Sequence, residues 1–247
     1  MKMTIRLLAI ASAMTLLCGA SRAADATPIE EIHAAVKKLA LATNYSWSIH
    51  TENVNTNSTR KAPSPVDGKT SSEGITALVF HRPDTTLEVY LRQTNGVVKL
   101  KDQWKTLKDA AEINEPAGRN PARYLAKMAT AYRTPAEDAR VLMASMVKVE
   151  KVVDAIEGDL TSTATHDLIA NGSRRGDNLP PGLTDPHASV KFWIKEGSVE
   201  RFQYHISGSM TFGATEVKLD RLTTVEIKDV GTTKLEVPDE VKRLLAP

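Results

Sequence analysis

The stretch ASVKFWIKEGSVERFQYHISG, residues 188–208, alternates apolar and polar side chains on both sides of Glu196-Gly197. Successive side chains of a β-strand point to opposite faces, so the pattern predicts two paired strands with one apolar face. A buried face fixes register strongly, and pairing Phe192 with Phe202 keeps its members together. This pairing predicts a three-residue loop with Gly197 in a bulge. The predicted apolar face consists of Val190, Phe192, Ile194, Phe202, Tyr204 and Ile206. It covers either a packed core or a ligand.

The first 23 residues have the pattern of a secretory signal peptide. Lys2 and Arg6 precede an apolar run at 7–17, and small residues in SRA favour cleavage after Ala23. The apolar run is shorter than the roughly 20 residues that span a bilayer. We therefore expect a mature chain, residues 24–247, that is exported to the periplasm or the extracellular space.

The leader also holds the only cysteine and an excess of positive charge. Cys18 follows Leu17, where a lipobox needs a small side chain, so no lipid anchor is predicted. A mature chain without disulfides depends on its core, and roughly 220 residues can supply one as a single domain. Loss of Lys2, Arg6 and Arg22 lowers the formal net charge from +2 by three units, to −1. That balance argues against a nucleic-acid surface, and no later segment is apolar enough to span a membrane.

Helix and strand signals alternate along the first half of the mature chain. Thr27-Pro28-Ile29-Glu30 predicts a capping box and a helix to about residue 43. Strands are predicted at 45–50, 75–80, 87–91, 97–100 and 104–107. The polar segment at 53–73 is either a loop or a solvated hairpin extension.

One hairpin of this half has a specific turn signal. Asn95-Gly96 is typical of a two-residue type I′ turn, in which both central residues need positive φ. The turn would place Leu91 opposite Leu100, with Leu87, Val89 and Val98 on the same face.

Two helices are predicted in the middle of the chain. The first begins at Asn120-Pro121 and the second, with another capping box, at Thr134-Pro135. The first carries Leu125, Met128 and Tyr132 on its apolar face, and the second carries Ala139, Leu142, Met143 and Met146. A strand at 147–156, a helix within 161–170, a loop at 171–187, the hairpin, a strand region at 210–228 and a helix at 238–245 follow.

This order predicts an α+β fold. Short turns favour antiparallel pairing, and a long sheet twists and curls. We expect a curved antiparallel β-sheet, an open half-barrel, with helices packed over its concave face.

The sequence has no motif of catalytic or cofactor chemistry. HExxH, GxSxG, the phosphate loop and the dinucleotide fingerprint are all absent from it. Its histidines are dispersed: His33, His50, His81, His166, His187 and His205. We predict no catalytic residue, no metal and no cofactor. A hydrolase or a metal site assembled from distant residues stays open as an alternative.

Several segments together resemble the LolA/LppX-like superfamily of exported lipid and lipoprotein carriers. They are the signal peptide, the capped helix leading into NYSW at 44–47, the helix pair, FWIKEGSVERFQY at 192–204 and LEVPDEVKRLL at 235–245. The resemblance implies a half-barrel whose helices form a lid over an apolar cavity for acyl chains. It also implies a monomeric, non-enzymatic carrier of a hydrophobic ligand, either a lipid or a lipoprotein acyl chain, with envelope proteins as candidate partners.

On this interpretation the cavity lies between the helix pair and the apolar face of the 188–208 hairpin. The movable side would consist of Leu125, Met128, Tyr132, Leu142, Met143 and Met146, and the fixed side of Trp47, Phe192, Ile194, Phe202 and Tyr204. Burial of methylenes, about 0.8 kcal/mol each, would supply the affinity without directional contacts. The alternative is an exported interaction or scaffold domain with a solid core, whose polar segment at 53–73 presents the contact surface.

Overall fold

An eleven-stranded antiparallel sheet forms the body of the protein in the computed structural model, which describes residues 26–54, 61–113, 132–171, 182–212 and 215–246. The helices are α1 (Pro28–Ala40), α2 (Leu107–Glu112), α3 (Pro135–Ala144), α4 (Ser162–Asn171) and α5 (Asp239–Leu244). The strands are β1 (Tyr45–Asn53), β2 (Val66–Thr70), β3 (Ile75–His81), β4 (Thr86–Arg92), β5 (Asn95–Leu100), β6 (Gln103–Thr106), β7 (Met146–Val152), β8 (Ala155–Leu160), β9 (Leu183–Lys195), β10 (Ser198–Phe212) and β11 (Thr215–Lys228).

The sheet consists of two meanders that are each continuous in sequence. Its order is β6-β5-β4-β3-β2-β1-β11-β10-β9-β8-β7, so β6 and β7 are its two edges and it does not close. The first and last strands join the meanders, with Trp47 opposite Ile227 and Thr51 opposite Thr223. The predicted α+β class and the open, curved antiparallel sheet are confirmed.

The main core lies between the concave face of the sheet and the helices. Both the Thr27 N–H and its hydroxyl donate to Glu30 Oε2 at 2.8 Å, which fixes the start of α1 as predicted. These bonds hold the pKa of Glu30 below its usual range. From α1, Ile32, Val36 and Leu39 are buried in the same cluster as the hairpin's aromatic rings.

The terminal helix lies on the other face of the sheet, although the prediction placed helices over the concave face alone. Val241 of α5 and Leu245, which caps the end of that helix, pack against Ile75, Tyr90 and Val97. Tyr90 pairs with Val97 across β4 and β5, next to the Val89–Val98 pair of the main core. Because side chains alternate between faces, this pair needs a second apolar cover, which α5 provides.

The 188–208 hairpin has the predicted pairing but a different turn. Phe192 lies opposite Phe202, while a two-residue turn pairs Lys195 with Ser198. Glu196 and Gly197 have φ values of 52° and 68°, as a type I′ turn requires. The extra residue lies instead between Val199 and Arg201, where the register shifts. The type I′ turn matches the twist of the strands, and a bulge within β10 then restores the apolar pairing.

The predicted Asn95-Gly96 turn is wrong. Asn95 pairs with Arg92, so the chain reverses at Gln93-Thr94, and Leu91 lies opposite Gly96 instead of Leu100. The glycine is required for packing, because a Cβ at Gly96 would collide with the side chain of Leu107 from α2. The register differs by an even number of residues, so the predicted apolar face survives.

Part of the polar segment at 53–73 is a strand in the interior of the sheet. β2 pairs with β1 on one side and β3 on the other, with Gly68 opposite Trp47. The missing side chain makes room for the indole, because a Cβ at Gly68 would overlap the Trp47 ring. The prediction of a loop or a solvated extension is therefore wrong for Val66–Thr70.

Four further boundaries differ from the prediction. The strand predicted at 147–156 is a hairpin, because β7 and β8 reverse at Val153-Asp154. α3 ends at Ala144, so Met146 is the first residue of β7 and does not belong to the helical stripe. The strand region at 210–228 is divided between β10 and β11, and β9 begins inside the loop predicted at 171–187. The helix predicted from Asn120 lies outside the described residues.

Candidate functional site

A cavity of about 400 Å³ lies between α3, α4 and the concave face of β1, β10 and β11. The apolar residues that line it are Pro63, Val141, Leu142, Ala164, Leu168 and Ile206. The polar residues that line it are Thr51, Arg133, Asp138, Ser145, Thr161, Thr163, Asp167, Tyr204, Arg221 and Thr223. A partly polar cavity thus adjoins the main core beneath α3 and α4.

Inward-facing side chains of β1 and β11 form the floor of the cavity. On β1 the row Tyr45, Trp47 and Ile49 ends in Thr51, whose hydroxyl is 3.0 Å from that of Thr223 on β11. Both threonines are buried. Because neighbouring strands bring the two hydroxyls together, one donates a hydrogen bond to the other inside the protein.

The N-terminus of α3 places a carboxylate at the cavity. Glu137 N–H donates to Thr134 Oγ1 at 3.3 Å, which caps the helix and puts Asp138 in its first turn. Arg133 Nε donates to Asp138 Oδ1 at 3.0 Å. Burial raises the pKa of Asp138 to about 6, Arg133 opposes the shift and Glu137 adds to it. Yet 34% of the Asp138 side chain is accessible, because it borders the cavity.

Three tyrosines lie around this carboxylate. Burial raises the pKa of Tyr45, Tyr132 and Tyr204, and the charge of Asp138 raises each of them further. Tyr204 forms a hydrogen bond with Thr223 that opposes its shift. The Tyr132 hydroxyl is buried and has no hydrogen-bond partner among the described residues. At neutral pH all three hydroxyls are therefore protonated and can donate hydrogen bonds.

The residues predicted to bind a ligand occupy three kinds of position. Leu142 and Tyr204 line the cavity. Tyr132, Met143, Met146 and Ile194 are partly buried and pack against the main core. Trp47, Phe192 and Phe202 are buried inside that core, with the two phenylalanine ring centroids 5.7 Å apart. Leu125 and Met128 lie outside the described residues. The ligand-binding role of the whole set stays a prediction.

Sequence patterns did not identify the charged residues that line the cavity. Asp138 stands in the first turn of a capped helix, where an acidic residue is ordinary. Arg133 and Arg221 have no motif around them. Thr51 could have been found, because it continues the period-two row of 45–49, but Thr223 faces it only through the pairing of β1 with β11.

A larger groove, of about 640 Å³, lies on the opposite face of β8 to β11 and is lined mainly by charged and polar side chains. Asp159 accepts from His187 Nε2 at 3.2 Å and from Lys148 Nζ at 3.0 Å, and His205 Nε2 is 2.7 Å from Asp220 Oδ1. Within the described ranges no three metal-binding side chains cluster. We take the smaller cavity as the candidate site because it adjoins the main core.

None of the described helices is both long and apolar enough to cross a membrane. No protein-family model matches the sequence, and a comparison with curated proteins finds no match.

Several solved structures are similar in architecture, and three of them follow. Lipoprotein LppX from Mycobacterium tuberculosis shares 11% identity over 84% of this chain and 96% of its own, with a TM-score of 0.45. LprF from Mycobacterium bovis shares 9% over 87% and 97%, with a TM-score of 0.42. A DUF1329 family protein from Desulfovibrio piger shares 9% over 87% and 96%, with a TM-score of 0.29. The similarity to these structures is one of overall architecture.

Proposed function

We propose that this chain is an exported, non-enzymatic protein that carries a lipid, or another ligand with an acyl chain, in the cavity between α3, α4 and the sheet. The observation that supports the proposal is the cavity itself. Its volume of about 400 Å³ falls in the range of roughly 300–1,000 Å³ that is typical of small-molecule sites. An acyl chain would lie against Leu142, Leu168 and Ile206.

α3 is the element best suited to move for entry and release. Its buried side chains are small apart from one leucine: Pro135, Ala136, Ala139 and Leu142. Fully burying a leucine contributes only about 1.5–3 kcal/mol, so lifting this helix would expose the apolar surface of Leu142 and the packed part of Met143. A ligand that covers the same leucine would offset part of that cost.

A scaffold without a ligand is the second candidate function. The observation in its favour is the solid core beneath α1, where Trp47 is 2% exposed and Phe192 and Phe202 are fully buried. These rings, which the prediction placed on the fixed side of a ligand cavity, are buried in the main core, and their ligand-binding role stays a prediction. A carrier therefore has to use the space beside Leu142 and Tyr204.

Native mass spectrometry can separate the two functions. The full chain is produced in a bacterium, purified without detergent and extracted with organic solvent. We expect a bound species with the mass of an acyl-chain compound. Ala164→Phe places a ring in the cavity from α4 and should remove that species, while Ala40→Phe on the exposed side of α1 should retain it. A protein that is free of ligand and stays so after incubation with lipids would refute the carrier and leave the scaffold.

A further inference from the structure

A shallow apolar hollow lies where the C-terminal end of α1 meets the turn that follows β11. Leu41, the C-cap residue of α1, is 73% exposed, and Val230 of the turn is 38% exposed. The other residues that line the hollow are Ala34, Lys37, Lys38, Ala42, Thr43 and Gly231. Single exposed apolar side chains are ordinary, whereas adjoining ones mark contact surfaces. We call this hollow the Leu41–Val230 surface.

The backbone holds the two apolar side chains on the outside. Residues 34, 37, 38 and 41 lie on the side of α1 that is opposite to its buried side chains. Gly231 N–H donates to the Asn44 carbonyl at 2.9 Å, which ties the turn after β11 to the chain before β1. Asp229 and Gly231, on either side of Val230, have φ values of 52° and 80°. The exposure of Leu41 and Val230 is therefore a fixed property of two joined loops.

The charge that lines this surface is positive. Lys37 and Lys38 contribute to it, and among the described residues that line it none is acidic. Lys38 Nζ donates to the backbone oxygen of Glu196 at 3.2 Å, which leaves its positive charge in place because a carbonyl is uncharged. Asp229 accepts from Ser46 Oγ at 2.8 Å, towards β1, and does not line the hollow.

From this combination we infer that the Leu41–Val230 surface docks the protein on an anionic phospholipid bilayer. Leu41 and Val230 would enter the boundary between head groups and acyl chains. Lysine stems lie along apolar surface while their ammonium groups reach outward, so Lys37 and Lys38 can meet the lipid phosphates at the same depth. An anionic leaflet attracts such lysines electrostatically.

The size of the surface favours a bilayer over a protein partner. Eight residues line the hollow, whereas a stable protein interface takes roughly 20–30 residues from each partner. A bilayer needs no complementary shape, so a small apolar surface with lysines beside it is sufficient. None of these residues lines the cavity between α3, α4 and the sheet, so docking goes beyond the proposed carrier and requires no bound ligand.

An environment-sensitive fluorophore at the surface tests the docking. Nitrobenzoxadiazole is attached to Val230→Cys in the full chain with Cys18→Ser, and to Val54→Cys as the matched control. Both valines are exposed, and they follow opposite ends of the β1–β11 pair. Vesicles of phosphatidylcholine with about 30% phosphatidylglycerol should shift the emission of the Val230 probe to the blue and leave the Val54 probe unchanged. Pure phosphatidylcholine should bind at least about tenfold more weakly.

Three variants that carry the Val230 probe separate the apolar and charged contributions. Leu41→Ser should weaken binding to the anionic vesicles about tenfold, because its side chain no longer enters the bilayer. Lys37→Gln should weaken it about fivefold. Lys218→Gln removes an exposed lysine at the far end of β11 and should leave it unchanged. All three side chains are exposed, so the changes leave the core intact.

The outcomes that would overturn this docking differ from those that test the carrier. A Val230 probe that responds to neither kind of vesicle, responds equally to both, or responds no more than the Val54 probe would refute it. Binding that Leu41→Ser and Lys37→Gln both leave unchanged would refute it as well. In sedimentation velocity without lipid, a dimer that Leu41→Ser dissociates would assign the surface to a second copy of this chain. Each of these results leaves the carrier to be decided by the cavity variant Ala164→Phe.

Discussion

Replacing Phe202 by alanine tests whether the apolar face of the 188–208 hairpin is a packed core. Phe202 is fully buried, and its ring lies 5.7 Å from that of Phe192, at an interplanar angle of 30°. Removing a buried phenylalanine costs about 3–5 kcal/mol, because the transfer and cavity terms add. We expect about 4 kcal/mol for Phe202→Ala, which is a large part of the roughly 5–15 kcal/mol of a typical domain.

Urea unfolding followed by circular dichroism measures this loss. With a slope of about 3 kcal/mol per molar, the midpoint should fall by about 1.3 M without a change of slope. The double variant with Phe192→Ala should show a coupling of about 1 kcal/mol from the ring pair.

The neighbouring residue on the opposite face provides the control. The Trp193 ring lies 3.8 Å from the Arg201 guanidinium, and its Nε1 donates to Asp154 Oδ2 at 3.2 Å. Trp193→Ala removes a surface cation–π contact and should cost about 1 kcal/mol. If Phe202→Ala cost no more than Trp193→Ala, the face would not be packed, and a ligand would be the better explanation of its apolar pattern.

Three other predictions concern two glycines, a helix cap and the partly buried carboxylate of Asp138. Gly68→Ala should prevent folding or cost more than about 3 kcal/mol of stability, because the new Cβ overlaps the Trp47 ring. Gly197→Ala should cost only about 1 kcal/mol, because the space around its Cβ is open and only its φ of 68° is unfavourable. Thermal melts compare the two variants. Thr134→Ala should cost about 1 kcal/mol by removing the cap of α3, measured by urea unfolding. Asp138→Asn should gain melting temperature relative to the unmodified protein as pH rises from about 3.8 to about 6 and should keep that gain above pH 6. The raised pKa of Asp138 means that the stability from its protonated form is complete below the ordinary value of 3.8 and is lost as pH rises through about 6, while asparagine has no charge to bury. An advantage that grew towards low pH would contradict the assigned pKa.

The sequence predicted those parts of the fold in which side-chain period and burial agree. The alternation in 188–208 determined which residues face inward and that Phe192 pairs with Phe202, because one slip would have exposed the aromatic rings. It could not determine the turn, since a type I′ turn with a bulge in β10 and a bulged loop give the same pairing at Phe202.

Local signals failed where a neighbour distant in sequence determines the conformation. Gly96 looks like a turn residue, but it is small because Leu107 packs over it. β2 has one apolar residue, Val66, yet lies between two strands because Gly68 accommodates Trp47. The polar residues that line the cavity were unpredictable for the same reason. Thr223 contacts Thr51 only because β11 pairs with β1, which joins the two meanders.

The pairing of β1 with β11 also has a consequence for folding kinetics. All other strand pairs link neighbours in sequence within a meander, whereas this pair joins residues 46–53 to residues 221–228. Loop-closure entropy has to be overcome before such distant strands gain contacts, so non-local pairings form slowly. A nascent chain can form the first meander early, but the backbone groups along one side of β1 have no strand to pair with until residues 215–228 have been synthesised. The chain is thus kept from its final structure until β11 has been synthesised.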